Sequence, residues 1–389
     1  MKTEDKTGVL YTECHNLCAV KTGYSACGDY FEIFRDAQAV TAVLADGLGS
    51  GIKASVASAM SCASVMRMIK AGFSVKEAAG TVIKTARRAK ETQNAVYAAF
   101  TVVRILNDGT ASVLTYDAPG PVLITNKQAY VPKMKFTLTQ GQVTGELNIR
   151  LKEGDGLLVM TDGITQAGMG RELPFGWTEE GVREFVNANH ALGFTEKDIP
   201  QLLINRASAL SGGYLHDDAS AAYFSCRKGR VMNIITGPPS ARENDAAAAR
   251  EFMRADGIKI ICGSTTADII SRETGINVGF TKTYSGFFRP PKYIMKGIEV
   301  VTEGAVVLNQ LYNIIDLEGI KLDKESCVTE IAVLARVCDV INIYLGKAEN
   351  PGHDDIAFTQ LGILPRAVII NMLAEKLRKM GKLVVIKEV

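Results

Sequence analysis

Leu44-Ala45-Asp46-Gly47-Leu48-Gly49-Ser50-Gly51 reads as a buried strand that ends on an aspartate and runs straight into a glycine-rich turn. Three other segments of the same region share this design. They are Cys27-Gly28-Asp29-Tyr30, Val159-Met160-Thr161-Asp162-Gly163 and His216-Asp217-Asp218-Ala219-Ser220. A single Asp-Gly after a strand is ordinarily a turn. Four strand-end aspartates in one region point instead to carboxylates gathered at one edge of a fold. Gathered carboxylates repel one another unless cations compensate them. Mg²⁺ and Mn²⁺ prefer such oxygen ligands and retain several waters. A glycine after the aspartate lets the backbone come close enough for its carbonyl to reach an ion.

The flanking sequence predicts the elements that would hold these segments. Tyr30–Phe34 and Ala39–Ala45 read as a hairpin, as do Val96–Leu106 and Ala111–Tyr116 around Asn107-Asp108-Gly109. Val122–Thr125, Leu157–Thr161 and Ala219–Ser225 read as further strands, with helices over Lys53–Lys70, Val75–Thr92, Thr178–Ala191 and Pro200–Ser211. Hairpins separated by helix pairs predict an α+β domain of mainly antiparallel sheet. After the basic link Cys226-Arg227-Lys228-Gly229-Arg230 the pattern changes. Val231–Thr236, Ile258–Cys262, Ile298–Thr302, Val340–Leu345 and Leu383–Ile386 read as strands, with helices over 242–255, 266–274 and 366–380. Such alternation predicts a smaller α/β domain with a mainly parallel sheet. The domains are therefore expected at 1–229 and 230–389.

Composition sets the outer limits. A 389-residue chain is suited to two domains, and 47% hydrophobic with 22% charged residues excludes disorder over most of it. Lys plus Arg is 44 against 42 for Asp plus Glu, which argues against a dedicated nucleic-acid binder. The charged first residues do not make a secretory signal, and no apolar run approaches the roughly 18 residues of a membrane span. The eight cysteines then read as reduced thiols of a cytoplasmic protein. Cys14-x-x-x-Cys18 with His15 between reads as packing, since no second Cys/His pair follows at zinc spacing.

The order GD…DGxGxG…TDG…DD resembles the metal-dependent serine/threonine protein phosphatases of type 2C, and within them the bacterial SpoIIE-like branch, over roughly residues 8 to 227. The resemblance implies two antiparallel sheets sandwiched between helix pairs, with two divalent ions, Mn²⁺ or Mg²⁺, at one edge. It assigns Asp46 to the carboxylate bridging both metals, Gly47 to the carbonyl ligand, Asp162 and Asp217 to the first metal, and Asp29 to the second. Asp46, Asp162 and Asp217 would act in catalysis through a metal-activated water. Asp218 falls at a position that need not touch metal. Two departures stand out: Gly28 replaces a glutamate common in the family, and Leu48 replaces the histidine of eukaryotic members. His216 reads as a structural residue of a connector. The implied partner is a phosphorylated protein, such as a sigma-factor regulator, with neither nucleic acid nor membrane involved.

Residues 164–200, with the lone Trp177, lie between two of these segments and read as a variable flap; Arg67 and Arg171 read as solvated. In the second domain, Gly263-Ser264-Thr265-Thr266 at a strand-to-helix turn is a candidate loop for a small ligand or anion, or simply a helix cap. Pro351-Gly352-His353-Asp354-Asp355 lacks a companion Thr-Asp-Gly and reads as a solvated loop; Arg289-Pro290-Pro291-Lys292 reads as a rigid connector. The expected function is phosphoprotein hydrolysis with a regulatory or partner-binding α/β domain. The rivals are a non-catalytic phosphoprotein adaptor and a ligand sensor whose second domain gates the first.

Overall fold

The computed structural model describes residues 10–91, 97–171, 173–191, 193, 195–280, 290–317, 323, 325–348 and 362–389. The Pro351–Asp355 motif and Arg289 lie outside the described residues. The chain divides into two compact units, with the change at Lys228/Gly229.

The first unit runs β1 (Leu10–Ala19), β2 (Asp29–Arg35), β3 (Ala39–Gly47), α1 (Ile52–Lys70), α2 (Val75–Glu91), β4 (Ala98–Leu106), β5 (Thr110–Tyr116), β6 (Val122–Thr125), β7 (Gln128–Tyr130), β8 (Lys135–Thr139), β9 (Gln142–Arg150) and β10 (Gly156–Met160). It ends with α3 (Asp162–Thr165), α4 (Thr178–Ala191), α5 (Ile199–Leu210) and β11 (Ala219–Lys228). Six strands form one sheet in the order β2-β3-β4-β5-β9-β8, and five form another in the order β1-β11-β10-β6-β7. The pairings are antiparallel, as in β3 with β4 (Ala39 opposite Leu106) and β1 with β11 (Leu10 opposite Lys228).

Alternation along the strands explains the layers. Ala42, Leu44, Val103, Ile105 and Val113 of the six-stranded sheet meet Leu123, Leu157, Val159 and Phe224 of the five-stranded sheet in one inner core. The opposite side chains of β3, Val43 and Ala45, pack instead under Val65, Met66, Ile69, Ala79 and Ile83 of α1 and α2. The outer face of the five-stranded sheet is covered by α4 and α5 through Val182, Val186, Leu203 and Ile204. Strand β3 is thus buried on both faces, which is why it reads as a continuous apolar run. Asp46 continues the inner row of Ala42 and Leu44, so the strand delivers its carboxylate to the space between the sheets. Trp177 of the segment read as a flap is a core residue, 8% exposed and edge-on to Phe185 at 5.3 Å.

The second unit runs β12 (Val231–Thr236), α6 (Asp245–Arg254), β13 (Ile258–Cys262), α7 (Ser264–Thr274), β14 (Val278–Phe280), β15 (Lys292–Met295), β16 (Ile298–Thr302), α8 (Ala305–Ile314), α9 (Cys327–Val337), β17 (Val340–Leu345), α10 (Arg366–Lys379) and β18 (Leu383–Glu388). Its sheet has the order β14-β15-β16-β13-β12-β17-β18. The pairings from β16 through β18 are parallel, and β14 and β15 add an antiparallel edge. Helices α6 and α7 cover one face through Ala249, Phe252, Ala267 and Ile270. Helices α8, α9 and α10 cover the other through Leu308, Leu311, Ile331, Ile369, Ile370 and Leu373. Among the described residues, no helix is long and apolar enough to cross a membrane.

Candidate active site

The four strand-end aspartates are brought together by the sandwich. Asp46 leaves the end of β3 and lies within side-chain hydrogen-bonding reach of Asp162. Burial raises its carboxyl well above the ordinary range, and the charges of Asp29, Asp162 and Asp217 raise it further. Asp29 opens β2 and is 4% exposed. Burial pushes its carboxyl up as well; Asp218 and Asp162 add to this, while a hydrogen bond from Thr161 opposes it. Asp217 stands at the exposed rim, and its carboxyl is also raised, by burial and then by Asp162 and Asp218.

Each carboxylate is held by a neighbour. The Thr161 hydroxyl donates to Asp29 Oδ2 at 2.9 Å and accepts from the Ser220 amide at 2.9 Å. That hydroxyl therefore links the end of β10 to both β2 and β11. Gln166 Nε2 donates to Asp162 Oδ2 at 2.9 Å, and the Asp218 amide donates to Asp217 Oδ1 at 2.9 Å. In the sequence Thr161 stands out only as part of the Thr161-Asp162-Gly163 motif, and Gln166 belongs to no motif. The Gln166 signal was its position four residues after Asp162, one helical turn on. Asp218 has a different task. It is 4% exposed, and its two oxygens accept the Lys21 and Gly28 amides at 2.8 Å each. It clamps the approach to β2 and has little capacity left for a cation.

Gly47 is required by packing. A Cβ there would lie 2.0 Å from the Ala54 carbonyl oxygen, so α1 can start hard against the strand end only if the residue is glycine. At Gly28 a Cβ would come 2.8 Å from Asp218 Oδ2 and 3.1 Å from Ala54 Cβ. The clamp thus occupies the place a larger side chain would need. Leu48 is 58% exposed, and His216 is exposed beside Asp217. Arg67 lies on the exposed face of α1, and Arg171 packs its guanidinium toward Gly212. Cys14 and Cys18 lie four residues apart along β1. That spacing spans about 13 Å, too far to share an ion.

The donor chemistry fits a divalent cation. Asp29 Oδ1 and Asp162 Oδ1 are both shielded from solvent, and neither has a hydrogen-bond partner among the described residues. Buried carboxylate oxygens ordinarily find a partner, and these two belong to a set of like charges. Among the described residues, no three or more His, Cys, Asp or Glu side chains are already grouped as a metal cage. An ion held here would take one or two carboxylates and complete its shell with a carbonyl oxygen and water, the habit of Mg²⁺.

Residues 36–226 match the family model described as stage II sporulation protein E, SpoIIE. Over these residues the first unit is similar to the SpoIIE-like type 2C phosphatases. No curated protein matches the chain. Solved structures similar to it include the PP2C phosphatase domain, with a fragment of the regulatory domain, of SpoIIE from Bacillus subtilis. That structure is 17% identical, with a TM-score of 0.46, and the match covers 57% of this chain and 65% of that one. The RsbU and RsbW domains of a Mycobacterium tuberculosis protein are 19% identical, with a TM-score of 0.46, covering 64% of this chain and 68% of that one. RsbX in complex with magnesium is 18% identical, with a TM-score of 0.39, covering 58% and 98%. This chain thus spans less than two thirds of the SpoIIE structure. The SpoIIE-like match stops at residue 226 and leaves the second unit outside it.

The candidate loop of that second unit is the first turn of α7. The Gly263 amide is bonded to the Thr302 carbonyl at 2.7 Å, Ser264 and Thr265 are exposed, and Thr266 is buried. No side chain caps the helix.

Proposed function

We propose that the first unit hydrolyses phosphoserine or phosphothreonine on a regulatory protein, such as a sigma-factor regulator, in the cytoplasm. The observation that carries this reading is the set of four gathered carboxylates with two buried, unpartnered oxygens, on Asp29 and Asp162. Two divalent ions, Mg²⁺ or Mn²⁺, would be held by Asp29, Asp46, Asp162, Asp217 and the Gly47 carbonyl. When bound, they would supply Lewis acidity and an acidified water for attack on phosphorus.

The chain's own residues orient that chemistry. Thr161 fixes Asp29, Gln166 fixes one oxygen of Asp162, and Asp218 holds the Lys21–Gly28 connection in place through backbone amides. Preorganised groups of this kind avoid reorganisation during the reaction. The nearby thiols are unsuited to act as nucleophiles. Burial pushes the Cys27 thiol up to about 12 and raises Cys18 as well, keeping both protonated at neutral pH. A protein substrate is favoured by the surface beside the site, where Ile52, Val56 and Met60 are 75%, 51% and 65% exposed at four-residue spacing along α1. The second unit is assigned a regulatory or recruiting role. The eight free cysteines accord with a reducing compartment. The test is phosphate release from phosphoserine peptides with Mn²⁺. Asp46→Asn must abolish it, and turnover at the wild-type rate would sink the two-metal reading.

A further inference from the structure

The second unit carries a charged group that its own structure leaves unanswered. Arg366 is the first residue of α10, and its Nε is shielded from solvent with no hydrogen-bond partner among the described residues. The guanidinium lies against β12: a Cβ on Gly237 would sit 1.9 Å from Arg366 Nη1, and Gly237 has φ +83°. Glycine at this position leaves room for the arginine. The preceding residue, Thr236, is 0% exposed, and its Oγ1 also has no partner among the described residues. Thr236 shares a sheet face with Met232 and Ile234, and these pack in one cluster with Ile369, Ile370 and Leu373 of α10. The hydroxyl therefore stands on the α10 face of the sheet, at the strand end where Arg366 lies.

The topology marks the same place. From β12 the chain proceeds through α6 to β13 and β16 on one side, then returns through α8 and α9 to β17 on the other. The carboxyl ends of β12 and β17 thus form the point where strand order reverses, and ligands of open α/β sheets bind at such points. Helix α10 has no acidic residue in its first turn and no side-chain cap, so its free amides and the arginine add positive potential together. Burial lowers the Arg366 pKa, as for a cation drawn partly out of water. The other basic group at this edge, Lys347, is already paired with Glu388 at 2.5 Å.

We propose that the carboxyl ends of β12 and β17 hold a small oxyanion, a phosphate or carboxylate group, bound by Arg366, the Thr236 hydroxyl and the first-turn amides of α10. A guanidinium meets such groups through two parallel N–H bonds. The site is separate from the glycine-hydroxyl turn at Gly263–Thr266, whose Gly263 amide is already bonded within the sheet.

The test uses the full chain carrying Asp46→Asn, in chelator, so that phosphate held by metal in the first unit does not contribute. Thermal unfolding is followed while inorganic phosphate, or separately acetate, is titrated to millimolar levels. The expected result is a saturable rise in Tm that Arg366→Gln removes and Thr236→Val weakens, a loss of about tenfold or more in affinity for the arginine variant. A rise with phosphate alone or with acetate alone identifies the group the site takes. Circular dichroism checks that each variant is folded, and Thr236→Val, close in shape, carries the test if Arg366→Gln is not. Absence of a rise with both anions overturns the proposal. So does a rise that Arg366→Gln, or in its place Thr236→Val, leaves unchanged.

Discussion

The two units each bury charge of a single sign at a strand edge, but they do so in opposite ways. The first gathers Asp29, Asp46, Asp162 and Asp217 from four chain segments, and burial, with the neighbouring carboxylates adding to it, raises the carboxyls of Asp29, Asp46 and Asp217. The second isolates one guanidinium, Arg366, against a glycine. Carboxylates can escape burial by taking up protons, so an empty first site titrates. Arginine cannot do so in the accessible range, so an empty second site simply remains strained. The carboxylate site should therefore respond to metal and to pH, and the arginine site to anions alone.

The largest expected effect tests whether the carboxylates are the chemistry. Asp46→Asn removes the carboxylate on which the Asp29, Asp162 and Asp217 charges act, and phosphate release should fall by on the order of 10²–10³-fold. Asp218→Asn gives the sharper contrast. It weakens the clamp on the Lys21 and Gly28 amides and should lower stability by about 1–2 kcal/mol, while leaving measurable turnover in the folded protein. If the two variants lose activity equally, Asp218 belongs to the catalytic set and is not merely a clamp.

The next effect concerns pH. Asp29 and Asp46 have raised folded-state pKa values, so between the unfolded value near 4 and the folded values the native state binds more protons than the unfolded state. Unfolding free energy of the metal-free protein must then fall as pH rises through that window. Urea unfolding of the full chain in chelator between pH 4 and 8 measures it. Asp46→Asn, or added Mn²⁺, should flatten the curve, whereas Arg366→Gln should not change its slope. A slope that survives both Asp46→Asn and Mn²⁺ would place the titrating groups elsewhere.

The same contrast explains what could be read from sequence. The carboxylate site was legible because four segments repeat one local design, and because β3, buried on both faces, prints its position as an unbroken apolar run. The parallel strands Val231–Thr236, Ile258–Cys262 and Val340–Leu345 were legible for the same reason. Strand β1 was not recognised: LYTECHNLCA is mostly half-buried, and its polar residues mask the alternation. Strand β8 is an edge strand with exposed Phe136 and Leu138, which inverts the usual relation between apolarity and burial. Helices α8 and α9 are too uniformly apolar to show a polar face. Arg366 had no motif at all. Its isolation is a property of packing, and only coordinates show that its Nε has no partner.

Substrate size offers a smaller effect. Met60→Glu places a charge on the exposed apolar row of α1 without touching a carboxylate or the core beneath Val65 and Met66. Turnover of a phosphoprotein should drop by about tenfold, equivalent to roughly 1.4 kcal/mol of lost binding. Hydrolysis of p-nitrophenyl phosphate should remain unchanged. Equal loss on both substrates would mean that α1 supports the site and does not dock a protein.

The smallest effect reverses the usual sign of a core mutation. In anion-free buffer, Arg366→Gln exchanges an uncompensated, partly buried charge for a neutral side chain that can still lie against Gly237. The folded protein should therefore gain about 1 kcal/mol, since solvent screening reduces what full burial would give. Saturating the wild-type protein with its preferred oxyanion should close the gap, because the anion supplies the missing counter-charge. Destabilisation by Arg366→Gln in anion-free buffer would show that the guanidinium is holding the strand end together through packing. The resemblance between the two units, each a single-signed site awaiting its counter-ion, would then fail on the side of the arginine while leaving the carboxylates untouched.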